Sequence, residues 1–130
     1  MKSCLGKKAV RFQDLEQYTN EDVTEALGRN DPEELELVSV TLAITSPDQH
    51  FAEDVCLKLA LHEHNKVRGN AVMSLGHLAR RFRQLNEGAV KPIVEAALQE
   101  PDDYVRVRAK SAADEIHQFL GWNIAGHIYG

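Results

Sequence analysis

Cysteine is scarce in this chain: Cys4 and Cys56 are its only two among 130 residues, far apart and without a Cys-x-x-Cys pair. A small secreted fold stapled by disulfides needs a denser framework, so both thiols are expected to be reduced. Cys56 falls in the apolar rhythm Val55-Cys56-Leu57-Lys58-Leu59-Ala60 and reads as a small core residue. Long apolar runs are also missing. No stretch reaches the roughly 18 residues of a membrane-crossing helix, and the lysines of MKSCLGKKAVRFQ are not followed by the apolar segment of a secretory signal. These absences predict a cytoplasmic address with no membrane contact. A Gly-rich phosphate loop and a nucleophile elbow are absent as well, and Ser74, Ser111 and Thr41 have no surroundings that suggest activation.

Positive charge is nearly missing from one half. From Phe12 to His64 thirteen acids face two bases, Arg29 and Lys58, whereas from Asn65 onward nine bases face seven acids. The net charge of −5 therefore hides a strongly acidic first half. Such a field repels nucleic acid and draws in cationic partners.

What is present is helical periodicity, at a length and composition suited to one ordinary globular core. Thr19-Asn20-Glu21-Asp22 offers a cap with acids in the first turn, ahead of a short helix through Val23, Ala26 and Leu27 that ends near Arg29. Asp31-Pro32-Glu33-Glu34 has the form of a capping box with proline at the first helical position, and predicts a helix from Pro32 to about Thr45 through Leu35, Val38 and Leu42. Ser46-Pro47-Asp48-Gln49 repeats that start signal before Phe51/Ala52, Val55/Cys56 and Leu59/Ala60. Asn65 is expected to cap a helix running to about Phe82. The turn at Asn86 and Gly88 leads to another, with Pro92 expected in its first turn. Pro101-Asp102-Asp103 starts the last, which should stop before Gly121.

Sliding the chain over itself by 38 residues lays Val67 on Val105, Arg68 on Arg106, Ala71 on Ala109, Leu75 on Ala113 and Leu78 on Ile116. The preceding segments obey the same shift, Val55/Cys56 falling on Ile93/Val94 and Leu59/Ala60 on Ala97/Leu98. A fixed period of paired helices is the mark of an α-solenoid. Small Ala71 and Ala109 are expected to let helices approach closely. Arg68 and Arg106 are expected to pair with acids of the preceding repeat or turn.

The phrase formed by Asn65, Val67, Arg68, Ala71 and Leu75, and again by Asp103, Val105, Arg106, Ala109 and Ala113, resembles the HEAT repeat. The resemblance covers about residues 32–120. It implies an all-α fold: a short right-handed α-solenoid of HEAT-like helix pairs, about 2.5 repeats plus N-terminal capping helices. The division is one domain: a cap over 1–31, repeats over 32–62 and 65–99, and a half repeat with C-terminal cap over 102–130. In HEAT arrays the second helix of each pair lines the concave face, which by resemblance assigns the helices from Pro47 and Gly88 to it. Facing away from their apolar pairs stand Asp48, Glu53, Asp54 and Lys58, then Lys91, Glu95 and Gln99, with Glu21, Asp22 and Glu25 as neighbours.

Other clusters read as structural. His62-Glu63-His64 is not His-Glu-x-x-His, and on a helix its histidines would point roughly 160° apart. HEAT-like deoxyhypusine hydroxylases use several His-Glu pairs, whereas here Glu100-Pro101 stands at the shifted position. Neither a metal nor another cofactor is expected. Arg80, Arg81 and Arg83 fall in the last turn of a helix, where the dipole stabilises cations, and do not make the long basic face of a HEAT-like DNA glycosylase. The tail Trp122-Asn123-Ile124-Ala125-Gly126-His127-Ile128-Tyr129 should cover the open end; an exposed anchor for a partner or a second copy is the alternative. The expected function is thus non-enzymatic: an acidic concave face holding a basic protein. Small acidic stand-alone repeat proteins of this kind resemble bacterial immunity proteins, which neutralise a toxin such as a nuclease. A scaffolding adaptor in a larger complex is the other reading, and the expected state is a monomer or a weak homodimer through the C-terminal end.

Overall fold

The computed structural model describes residues 19–127, which form six helices and, among the described residues, no strand. They are α1 (Asn20–Arg29), α2 (Pro32–Thr45), α3 (Gln49–Leu59), α4 (Asn65–Phe82), α5 (Glu87–Leu98) and α6 (Asp103–Leu120). The fold is therefore all-α. The expectations on Cys4, the basic start, Ile128 and Tyr129 fall outside the described residues.

Polar side chains set most helix starts. Thr19 and Asp22 form a reciprocal capping box, each backbone amide donating to the other's side chain at 3.0 and 3.1 Å. At α2, Asp31 accepts from the Glu33 amide, but the expected return arm from Glu34 is not made. Glu34 instead accepts two bonds from Arg29, at 3.0 and 2.7 Å, because a guanidinium fork offers a nearly buried carboxylate two charged donors where an amide offers one. The α3 start lies two residues beyond Ser46-Pro47, with Asp48 as the cap accepting from Phe51 and the Ser46 hydroxyl accepting from the Asp48 amide. Asn65 is the first residue of α4 rather than its cap; His64 holds that position, without a side-chain bond. At α5 the cap is Asn86, so Pro92 lies beyond the first turn. Its missing amide leaves the Gly88 carbonyl without a helical donor, and both residues are exposed, so water can serve it.

α4 is the centre of the packing. It contacts α2 on one side and α6 on the other, while α3 packs on α2 and α4, and α5 on α4 and α6; α3 and α5 touch only lightly. Val67, Ala71, Leu75 and Leu78 on α4 are fully buried, as are Val105, Ala109, Ala113 and Ile116 on α6. Each buried Val, Leu or Ile contributes about 1.5–3 kcal/mol relative to exposure. Two glycines also mark a close approach of α4 and α6. A Cβ on Gly76 would stand 2.9 Å from the Ala112 Cα, and one on Gly69 2.8 Å from the Tyr104 ring. Tyr104 then donates to the Asn70 side chain at 2.7 Å, and Asn70 donates to the Glu36 carbonyl at 2.9 Å, so one chain of bonds runs from α6 through α4 to α2.

A second seam joins the turns. Arg68 Nη1 donates to the carbonyls of His62 and Glu63 at 3.0 and 3.1 Å; Arg106 Nη1 donates to those of Glu100 and Pro101 at 2.8 and 3.2 Å, each acceptor 38 positions further on. The acidic partner is not where the sequence places it. Arg68 makes a bidentate pair with Glu100, in the following turn and not the preceding one, at 2.7 and 2.9 Å, and Arg106 pairs with Asp103 in its own first turn. His62 carries the seam to Asn30 at the end of α1, at 2.8 Å. Asp102, the α6 cap, has its carboxyl held below the usual value, first by the Val105 amide and further by Asn65, the Tyr104 amide and Arg68. A depressed folded-state pKa means that this contribution to stability is present above the ordinary carboxyl pKa and is lost as acid protonates the group.

Three measurements follow from this packing. Gly76→Val should lower stability by about 1–3 kcal/mol in denaturant unfolding, since its neighbour is backbone that cannot move aside. Gly28→Ala, in an exposed helix position with open space around it, should raise stability by about 0.5–1 kcal/mol. A double-mutant cycle on Arg68→Ala and Glu100→Ala should give a coupling of about 1–2 kcal/mol; additivity of the two would mean that the seam does not hold the turns together.

Candidate functional site

The residues marked by the sequence for partner binding divide into two sets. Glu21 and Glu25 lie one turn apart on the exposed face of α1, and Asp54 and Lys58 one turn apart on the exposed face of α3. None of these four side chains has a hydrogen bond or ion pair among the described residues. The others are committed to the fold. Asp22 belongs to the capping box, and Asp48 caps α3 while accepting from the Asn20 side chain at 3.4 Å, which ties the start of α1 to the start of α3. Glu95 accepts from the Ala125 amide at 2.9 Å, and Gln99 lies beside Gly126, so both serve the C-terminal tail. Lys91 pairs with Glu87 at 3.1 Å.

Glu53 departs most from expectation. It was expected on the outward side of its helix, yet it is only 3% exposed. The reason is the α4–α5 turn, which folds over α3 so that the Asn86 amide donates to Glu53 Oε2 at 2.7 Å. Gln49 and Gln84 reinforce that contact: Gln49 Nε2 donates to the Gln84 backbone carbonyl at 2.9 Å, and Gln84 Nε2 donates back to Gln49 Oε1 at 3.0 Å. Between α3 and this turn lies a cleft of about 350 Å³. Glu53, Asp54 and His50 line it with polar groups, and Leu57, Leu85 and Ala89 with apolar ones. Gln49, Gln84 and Leu85 were not singled out from sequence. The signal was Leu85, a lone apolar residue just before a helix cap, where such residues fold back onto the first turn.

One turn further along α3, Cys56 is fully buried and its thiol lies within 3.9 Å of the Ser39 carbonyl. Burial, and then the negative charge of Glu53, push its pKa far above the ordinary thiol range. Such a thiol is a packing group and not a nucleophile.

The clusters read as structural have internal partners. His62 Nδ1 accepts from the His64 amide at 3.0 Å, so in the neutral ring Nε2 carries the hydrogen and donates to Asn30. Arg80 pairs with Glu115 at 2.7 Å, Arg81 donates to the Ala43 carbonyl at 2.9 Å, and Arg83 lies 4.8 Å over the Phe119 ring. In the tail, Ile124 is buried, Trp122 packs against the core and His127 reaches Asp114 at 2.6 Å. The tail to His127 thus lies against the α5–α6 end.

No family model, curated protein or solved structure matches this chain. What the described residues define is a six-helix all-α protein with an exposed acidic edge on α1 and α3 and a cleft beside it; no helix among them is long and apolar enough to cross a membrane.

Alkylation of the native protein by iodoacetamide should leave the Cys56 peptide unmodified by mass spectrometry, and unfolding in denaturant should expose it to complete labelling. Labelling of Cys56 in the native state would show that α3 opens readily.

Proposed function

We propose that this chain is a non-enzymatic, cytoplasmic binding protein, a short right-handed HEAT-like solenoid of about 2.5 repeats whose acidic surface on α1 and α3 holds a basic protein. The fine architecture is supported by the two arginines that grip the same carbonyls 38 residues apart, and by the order α2, α4, α6 in the packing. The function is carried by one observation. In α1 to α3 the cations are Arg29 and Lys58, and Arg29 is held by Glu34, while Glu21, Glu25 and Asp54 are exposed and uncommitted.

α3 and α5, the helices assigned by resemblance to the concave face, touch only lightly, and that spacing leaves room for a partner's side chains. Carboxylates spaced along such a surface can mimic a phosphate backbone, so the fitting partner is a protein with a cationic cleft, such as a nuclease toxin, with this chain as its immunity protein.

Replacing Glu21, Glu25 and Asp54 together by lysine tests this. All three are exposed, so the fold should survive by circular dichroism, whereas affinity for the basic protein captured by the wild type should fall by about a hundredfold or more, at roughly fivefold per lost ion pair. Capture of the same partner with unchanged affinity would overturn the acidic-surface reading.

A further inference from the structure

Two carboxylates among the described residues are nearly buried, and they are treated differently. Glu34, 5% exposed, receives the fork of Arg29 through both oxygens. Glu53, 3% exposed, receives one backbone amide at Oε2 and has neither a second hydrogen bond nor a cation. A carboxylate taken out of water without a counter-charge is costly, and folded proteins rarely keep one that is not paired or neutralised. The cleft that Glu53 lines gives it access to a counter-charge from outside. That cleft has the shape of an amphipathic side chain: Leu57, Leu85 and Ala89 can hold an alkyl stem, and Glu53 and the exposed Asp54 can hold its cationic end.

We infer that this cleft receives an arginine side chain of the partner protein, its guanidinium completing at Glu53 the pair that Arg29 completes at Glu34. Arginine fits better than lysine, because a planar guanidinium is weakly hydrated and carries parallel donors for carboxylate oxygens, whereas an ammonium gives up its water reluctantly. The inference rests on the reading of the chain as a binder of cationic protein, and adds to it a specific anchor at the rim of the acidic surface.

The probe is a short blocked peptide containing one arginine, compared with the same peptide carrying neutral citrulline, followed by chemical shifts of the full-length protein. The arginine peptide should produce saturable shifts at Leu57, Leu85 and Ala89, and the citrulline peptide should not. Asp54→Asn should weaken binding roughly fivefold. Glu53→Gln, whose side-chain oxygen can still accept from the Asn86 amide, should abolish it while melting at or above the wild-type temperature, whereas Glu34→Gln, which breaks a completed pair, should melt below. Ala89→Leu, which fills the cleft and leaves the charges in place, should also abolish binding. If the peptide shifts only residues around Glu21 and Glu25, and Ala89→Leu binds like wild type, the cleft inference falls while the acidic-surface reading stands. Equal binding of the citrulline peptide, no shift at millimolar arginine peptide, or a Glu53→Gln protein that melts far below wild type would each overturn the inference without touching the lysine-reversal result.

Discussion

The architecture hangs on one guanidinium. Arg68 rises from the first turn of α4 and closes three contacts at once: two carbonyls of the turn that precedes it and the carboxylate of Glu100 in the turn beyond α5. Turn carbonyls at a helix junction have lost their helical donors, and burial would leave them costly. A planar fork with five donors can satisfy them together, and in doing so ties the turn before α4 to the turn after α5. Around that joint α4 is held on both sides, by Asn70 toward α2 and by Gly69 and Gly76 toward α6.

Much of this was legible because it is periodic. Helical class follows from apolar residues at 3.6 spacing, and helix starts follow from side chains that can cap, as at Thr19 and Asp31. What was not legible is what depends on a contact between distant segments. Glu34 has the position of a capping-box acid, but Arg29 competes for it and wins with two charged bonds. Glu53 occupies a solvent position by helical phase, and becomes buried only because a turn more than thirty residues away closes over it. The small-residue signal was read at Ala71 and Ala109, which fall in the repeated phrase; Gly69 and Gly76, which do not repeat, also mark a close approach.

Charge is divided in the same way between structure and surface. Arginines in the second half are spent on carbonyls, aromatic faces and carboxylates within the fold: Arg81 on Ala43, Arg83 on Phe119, Arg80 on Glu115. Of the acids of α1 and α3 that are not caps, Glu21, Glu25 and Asp54 remain outward, while Glu53 is buried under the α4–α5 turn. On the α1–α3 edge the Arg29–Glu34 pair takes one charge of each sign, so the excess of acids there persists at the surface.

The glycines of α4 have no counterpart on α6. Shifted by 38 residues, Gly69 and Gly76 become Val107, which is 53% exposed, and Asp114, which is held by His127 of the tail. A helix laid on α6 as α6 lies on α4 would meet a branched side chain and an occupied carboxylate where α6 meets bare backbone. The bare backbone by which α4 receives α6 is thus not offered again at the shifted positions of α6.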